Sequence, residues 1–304
     1  MPAIALLVLL LFSGFASSAD TNSFTIVALP DTQKYSETHP EIFTCQTAWV
    51  VSNRDALGIA FVSHLGDVVE HGTSAVEYVR ADAAMHLLDG VVPYSVTAGN
   101  HDLKSGTLWD QYFGPKRYEG RSWYGGASPD GRSHFQTFDA CGRTFLHINL
   151  RNAAPSGTLL WAQGVVDRHQ GLPTIVSAHD YMTGANRTAN GERIWSQFVR
   201  VNPQVFMVLA GHIPGEGRMI STNAVGRNVM QLLSDYQVLP RGGDGYLRII
   251  RFVFPSNRIE VQTYSPLLDC YGTSPEDRFA CDVTFSSNIT VNGWVPAEPS
   301  APEK

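Results

Sequence analysis

Five apolar runs in this chain each lead into a short block of oxygen- or nitrogen-bearing side chains. Phe24 to Leu29 leads into Asp31-Thr32-Gln33, Ile59 to Val62 into Gly66-Asp67, and Val91 to Thr97 into Gly99-Asn100-His101-Asp102. Thr174 to Ala178 leads into His179-Asp180, and Val205 to Ala210 into Gly211-His212. Short apolar runs bounded by turn residues read as buried strands. Between the first three, Pro40 to Leu57 and Ala75 to Leu88 carry apolar residues at helical spacing. Pro40 suits a first helical turn, and Ser74 and Gly90 suit an N-cap and a terminator. Strand–helix–strand alternation with short loops implies right-handed crossovers and a largely parallel sheet. Ligands of such sheets gather beyond the carboxyl ends of the strands. All five blocks lie there, which predicts one shared site.

The rest of the chain adds a second sheet. Residues 104–131, rich in Gly, Tyr, Trp and charge, read as a long surface insertion forming a wall of the site. Phe135 to Phe138 and Arg143 to Asn149 read as antiparallel strands around Cys141-Gly142. Leu159 to Gln170 and Glu192 to Val201 read as helices. Val229 to Leu233, Tyr246 to Phe254 and Ile259 to Tyr264 read as further strands. The predicted class is α/β in the form of an α+β sandwich, two packed mixed β-sheets flanked by helices. The predicted divisions are a signal peptide at 1–19, a catalytic-type domain at 20–266 and an extension at 267–304. That extension would hold a disulfide and, from Asn292, a Pro-rich disordered tail.

Compartment and partners follow from composition. Ala3 to Phe12 is apolar and precedes the small residues Ser17-Ser18-Ala19, a secretory signal pattern cleaved after Ala19. The run is short for a membrane span of about 20 residues, and no later segment is long and apolar enough. The expected location is therefore secreted, extracellular or periplasmic. Four cysteines in an exported chain favour disulfides. The short loop between Cys270 and Cys281 suggests that pair, leaving Cys45 with Cys141. Sequons stand at Asn186 and Asn288. A net charge of -6 argues against a nucleic-acid polymer as partner. A phosphorylated substrate stays open, because bound cations reverse the local field of an acidic protein.

Mixed Asp, Asn and His donors suggest zinc, manganese or iron. A carboxylate shared by two such ions, here Asp67, suits phosphoryl displacement. His101 beside Asn100 would stand near substrate without ligating, able to protonate a leaving group, with Asp102 as its orienter. These blocks resemble the calcineurin-like metallophosphoesterase superfamily, whose pattern runs D-x-H, G-D, G-N-H-[DE], H, G-H-x-H. The resemblance extends over roughly Phe24 to Tyr264, and the stretch GNHD is its most specific part. It implies that Asp31 and Gln33 ligate a first metal, that Asp67 bridges, and that Asn100, His179 and His212 complete a second. It implies catalysis by His101. The ligand tyrosine of the purple acid phosphatase branch is absent, Val68-Val69-Glu70 standing after the G-D block.

Two positions depart from that pattern. Gln33 replaces a histidine, and Pro214 replaces the second histidine of G-H-x-H. Glu216 is a candidate substitute. The expected cofactors are two divalent ions (Mn, Zn or Fe), the first weakly held or absent. The expected function is a metal-dependent phosphoesterase acting on a phosphomonoester or phosphodiester, such as a phosphorylated small molecule or a lipid headgroup. The alternative is a weakened mononuclear relative. His71, Asp180, Asp235 and Tyr236 are candidate substrate contacts, with Tyr35 a further one.

Overall fold

The computed structural model describes residues 22–297. Its first half runs β1 (Ser23–Leu29), α1 (Gln33–Thr38), α2 (Pro40–Asn53), β2 (Ile59–His64), α3 (Ala75–His86) and β3 (Tyr94–Val96). The segment after β3 forms α4 (Trp109–Tyr112) and β4 (Tyr124–Ala127) before the hairpin β5 (His134–Ala140) and β6 (Arg143–Leu150). Then come α5 (Ser156–Arg168), β7 (Thr174–Ala178), the ribbon β8 (Met182–Thr183) and β9 (Asn186–Arg187), α6 (Ala189–Ile194) and β10 (Val205–Ala210). The chain ends in strands: β11 (Gly215–Thr222), β12 (Asn228–Asp235), β13 (Leu247–Val253), β14 (Arg258–Ser265), β15 (Cys270–Tyr271), β16 (Arg278–Phe285) and β17 (Ile289–Val295).

Two mixed halves pack face to face, as the sequence predicts. One has the order β3-β2-β1-β13-β14-β16, the other β17-β12-β10-β7-β6-β5-β4. The β16–β17 hairpin makes them one continuous hydrogen-bonded sheet folded on itself, with Asn228 opposite Val291 as the seam. β1, β2 and β3 are mutually parallel, and so are β6, β7, β10 and β12.

Strand alternation decides which layer each residue fills. Phe24, Ile26 and Ala28 of β1 face the interior, with Phe61, Phe145, Ile175, Leu209 and Phe252. Val27 and Leu29 face outward, beneath Phe43 and Val50 of α2 and Tyr78 and Met85 of α3. The other half is covered by Leu159 and Val165 of α5 and by Ile194 of α6. Burial on both faces is why these strands read as unbroken apolar runs. The interior also holds a polar knot. The Ser63 and Ser177 hydroxyls lie 2.8 Å apart, and Nε2 of His147 is 2.9 Å from Ser177 Oγ, so β2, β6 and β7 are tied together beneath the site.

Several expectations need correction. The 104–131 segment is not a surface wall: Trp109, Phe113 and Tyr118 are buried and pack on the core around β3. The helix expected at 192–201 starts earlier, at Ala189, and widens into a π-turn over Trp195–Val199. Residues beyond 266 are not a separate extension, because β16 pairs with β14 and β17 closes the seam. Asn292 lies within β17, while the expected signal peptide and residues 298–304 fall outside the described residues.

No disulfide joins Cys45, Cys141, Cys270 or Cys281. Cys270 is opposite Ser265 and Cys281 opposite Ile259 on the same strand, β14. Six residues of strand separate those partners, about 20 Å, whereas a bridge needs Cα atoms within about 7 Å. Cys45 sits on α2, and Cys141 packs against the interior cluster on the other side of that half.

Two buried histidines make stability pH-dependent. Burial pushes His147 down to about 3, and burial with the neighbouring His179 does the same for His64. Both are neutral in the fold, whereas the unfolded chain protonates them below about pH 6.5. Between those values the unfolded state binds more protons, so stability falls as pH falls, by about 1 kcal/mol per pH unit for each histidine. Raised carboxylates such as Asp31 and Asp235 act with the opposite sign over the same range, so the histidine contribution is read as a difference. In denaturant titrations from about pH 6.5 to 4, His147→Gln is expected to lose stability less steeply than the wild type, by about 1 kcal/mol per pH unit. An unchanged slope in the variant would remove His147 from the account.

Candidate metal centre

The carboxyl ends of parallel strands from both halves converge at one end of the sandwich. Asp31 follows β1, Asp67 follows β2 and Asn100 follows β3, while His179 follows β7, His212 follows β10 and Asp235 ends β12. His179 is the crossing point. Its Nδ1–H donates to the Leu65 carbonyl at 2.9 Å, which turns Nε2 toward Asp67 Oδ2 at 3.0 Å and Asn100 Oδ1 at 3.1 Å. The ring is fully buried. The ring centroid of His212 lies 4.9 Å away.

The backbone is bent to make this possible. Asp67 and His212 adopt left-handed φ values of 51° and 70°, a conformation costing roughly 1–3 kcal/mol where the residue is not glycine. Gly66, at φ 111°, leaves the room that the His179 ring fills; a Cβ there would collide with it. A Cβ at Gly99 would strike the Asp67 carboxylate. The glycines of the G-D and G-N-H-D blocks therefore serve ligand packing as well as turning.

The donor set fits a divalent cation. Donor atoms of Asp67, His179 and His212 lie within 4.8 Å of one another. Two ligands each ~2.1 Å from one ion at right angles stand about 3.0 Å apart. The spacings from His179 Nε2 to Asp67 and Asn100 have that value. With Nδ1–H committed to Leu65, a neutral His179 turns a lone pair toward two oxygens, an arrangement that needs a proton or a cation between them. Burial pulls the His179 pKa down, but the Asp67 charge and hydrogen bond outweigh it and raise it to about 9. Burial pushes Asp31 well above the usual carboxylate range, reinforced by the charges of Asp67 and Asp235. Burial raises Asp235 as well. These buried carboxylates form a field that favours cations.

The first-metal residues are organised differently. Asp31 Oδ1 accepts the Gln33 N–H at 3.0 Å. Asp31 Oδ2 accepts from Gln237 Nε2 at 3.2 Å, and the same nitrogen reaches Asp235 Oδ2 at 3.0 Å. Gln33 Nε2 donates to Gln237 Oε1 at 2.7 Å. The sequence marks Gln237 only as the residue closing Asp235-Tyr236-Gln237; its role at this junction is legible once β12 is placed beside β10.

Beside Asn100, the His101 N–H donates to Asp67 Oδ1 at 2.8 Å, and its ring Nδ1 lies 2.7 Å from the Glu70 carbonyl. Nε2 is not engaged by the described residues. Glu77 fixes that loop by accepting the N–H groups of Glu70 and His71, each at 2.9 Å. Neither Glu70 nor Glu77 stands out in the sequence, since their role lies in a carbonyl and in backbone capping. His71, its Nδ1 2.8 Å from Glu77 Oε1, has a side chain 57% exposed at the same loop. Asp180 follows His179 directly, and its carbonyl accepts from Asn190 at 2.7 Å.

Four expectations change. Asp102 does not orient His101: its oxygens accept the N–H groups of Val68, Val69 and Gly99 at 3.0, 3.3 and 2.8 Å, stapling the two loops. Tyr236 is buried, with its hydroxyl committed to Glu216 Oε1 at 2.7 Å. Glu216 does not replace the ligand absent at Pro214, because Arg248 pairs with it at 3.0 Å and Thr263 donates to it at 2.7 Å. Tyr35 is fully buried with its hydroxyl accepting the Gly245 N–H at 2.9 Å.

The Gly66 packing can be tested against a control. Gly66→Ala is expected to cost several kcal/mol and to lower bound metal, since the added methyl displaces a ligand ring. Gly90→Ala meets nothing within 4 Å, so only the cost of a left-handed φ, about 1–2 kcal/mol, remains. Equal metal content and equal stability in the two variants would count against this packing role.

The calcineurin-like phosphoesterase family model matches residues 24–216. The uncharacterized protein YvnB of Bacillus subtilis is 33% identical over 280 residues, covering 86% of this chain and 22% of that protein. The chain thus spans about a fifth of that relative's length. Among solved structures, purple acid phosphatase PPD1 of yellow lupin superposes with a TM-score of 0.55 at 11% identity, covering 85% of this chain and 53% of that one. GAP50, the anchor in the inner membrane complex of Plasmodium, gives 0.51 at 11% identity, covering 84% and 89%. At that identity the two structures show a shared fold alone. With the family match spanning most of the described residues, and the G-D, G-N-H-D, H and G-H blocks meeting at one place, this chain belongs to the calcineurin-like phosphoesterase family.

Proposed function

We propose that this chain is an exported metal-dependent phosphoesterase that hydrolyses a phosphomonoester or phosphodiester, with His101 protonating the leaving group. The observation that carries the reading is His101 itself. It adjoins Asn100 and is held by its own N–H to Asp67, while Glu70 secures its Nδ1. A ring fixed through Nδ1 offers Nε2 to a leaving oxygen, the geometry that general acid catalysis requires. The Glu70 carboxylate, 3.6 Å from Nδ1, accompanies the ring when it carries the proton. Asp67, Asn100, His179 and His212 would hold one cation, and Asp31, Gln33 and Asp67 would contribute to another. When bound, the cations would polarise the phosphoryl oxygens and lower the pKa of an attacking water.

The substrate class is a phosphorylated small molecule or a lipid headgroup. The net charge of -6 disfavours a nucleic-acid polymer. Export rests on the segment 1–19, which lies outside the described residues; the disulfide support for it falls away. Among the described residues no helix is long and apolar enough to cross a membrane. A second reading, a one-cation relative with weakened catalysis, is favoured by Pro214 alone.

His101→Ala is expected to slow hydrolysis of alkyl phosphate esters by roughly 10²–10⁴-fold, with metal content unchanged. p-Nitrophenyl esters should lose less, because their leaving group departs without a proton. Equal losses on the two ester classes would assign His101 another role. Absence of turnover in the metal-loaded wild type would favour the one-cation reading.

A further inference from the structure

We infer that Glu77 of α3 is a positioning residue that holds His101 in its proton-donating orientation, acting through the peptide between Glu70 and His71. The inference rests on the leaving-group role proposed above for His101 and names what keeps that ring in place.

A trans peptide presents its N–H and its C=O in opposite directions. In the Glu70–His71 peptide, the N–H donates to Glu77 Oε2 at 2.9 Å, and the C=O lies 2.7 Å from His101 Nδ1. Carboxylate and imidazole thus occupy the two ends of one peptide unit, and turning that unit would break both bonds. The remaining contacts of Glu77 lock it against turning. Oε2 also accepts the Glu70 N–H at 2.9 Å, and Oε1 lies 2.8 Å from His71 Nδ1. A carbonyl oxygen accepts and cannot donate, so this bond places the proton of a neutral His101 ring on Nδ1 and leaves Nε2 for the leaving oxygen.

The start of α3 separates this role from ordinary helix capping. Ser74-Ala75-Val76-Glu77 has the spacing of a capping box, and Ser74 Oγ accepts the Glu77 N–H at 3.4 Å. In a capping box the acid returns that bond to the N–H of the cap residue. Here the Ser74 N–H is bonded to the His71 carbonyl at 2.8 Å. The Glu77 carboxylate, 8% exposed, is turned away from the helix to the 70–71 loop. That loop lies close on His101: a Cβ at Gly72 would stand 2.6 Å from the His101 carbonyl. Lys104 Nζ, 3.0 Å from the same ring nitrogen, is the rival holder. Its ammonium ends an exposed side chain, whereas Glu77 is buried.

The test reads the ring directly and then through turnover. Zinc-loaded protein carrying [15N]histidine is studied by long-range 1H–15N NMR at a pH where the ring is neutral, with His101 assigned from the spectrum of His101→Ala. The wild type is expected to show the Nδ1–H form, and Glu77→Ala a shift toward Nε2–H. Glu77→Asp keeps a charge at the helix start but falls one methylene short; it should shift the same way and serves if Glu77→Ala does not fold. Glu77→Gln keeps an acceptor oxygen and should stay close to the wild type. Glu77→Ala is also expected to lower kcat on alkyl phosphate esters by about tenfold or more, with KM and metal content unchanged and p-nitrophenyl esters little affected. In His101→Ala the same change should cost nothing further, because the two residues act as one unit. An unmoved ring in both Glu77→Ala and Glu77→Asp, a shift found in Lys104→Ala in their place, or equal losses on the two ester classes overturns the inference. If His101→Ala itself spares the alkyl esters, the leaving-group reading fails, while the NMR shift still decides what holds the ring.

Discussion

The hydrogen bond from His179 Nδ1 to the Leu65 carbonyl governs the site. It reaches from the end of β7 to the loop after β2, and so crosses between the two halves of the sandwich. It also fixes the direction of Nε2, the atom that meets Asp67 and Asn100. Gly66, one residue after that carbonyl, is shaped around the same ring. Sheet packing and ligand geometry are thus a single constraint. A shift between the halves would move His179 away from Asp67, and the interior knot of Ser63, Ser177 and His147 resists that shift from below.

Local cost accumulates where the ligands gather. Asp67 and His212 carry left-handed backbones, and Asp31, Asp67, Asp102 and Asp235 are carboxylates buried within a small volume. The fold compensates in different ways at each. Asp102 takes three backbone N–H groups and becomes a structural staple. Asp67 takes His179 and the N–H of His101. Asp31 and Asp235 share one neutral amide. Only the last arrangement leaves two carboxylates facing each other across a donor that carries no charge.

Much of this was legible in the sequence because it is local. Strands buried on both faces read as unbroken apolar runs, and β1, β2, β7 and β10 lie close to their expected bounds. The order of blocks named Asp67, Asn100, His179 and His212, which the fold brings together. What sequence spacing missed depends on pairing. β11 contains Gly215 and Gly217 and is largely half-exposed, so its periodicity is faint; its register with β12 holds it. β16 and β17 close the seam between the halves, a role no local pattern announces. Residues 104–131 look like surface by composition, but their aromatic side chains are the cover over the β3 region.

The same distinction explains Pro214. A motif is read along the chain, so a missing histidine looks like a missing ligand, and the nearest acid, Glu216, looks like its substitute. In β11, Glu216 pairs opposite Ser234, and Tyr236, just beyond β12, donates its hydroxyl to Glu216. Strand alternation sends Asp235 the other way, toward Asp31. Neighbours in sequence are thereby assigned to opposite tasks: Glu216 with Arg248 fixes β11 and β12 to the sheet, and that anchorage holds Asp235 at the strand end. Every parallel strand of the sandwich delivers its last residues to the same place, so which side chains meet there is decided by pairing and alternation and not by nearness along the chain.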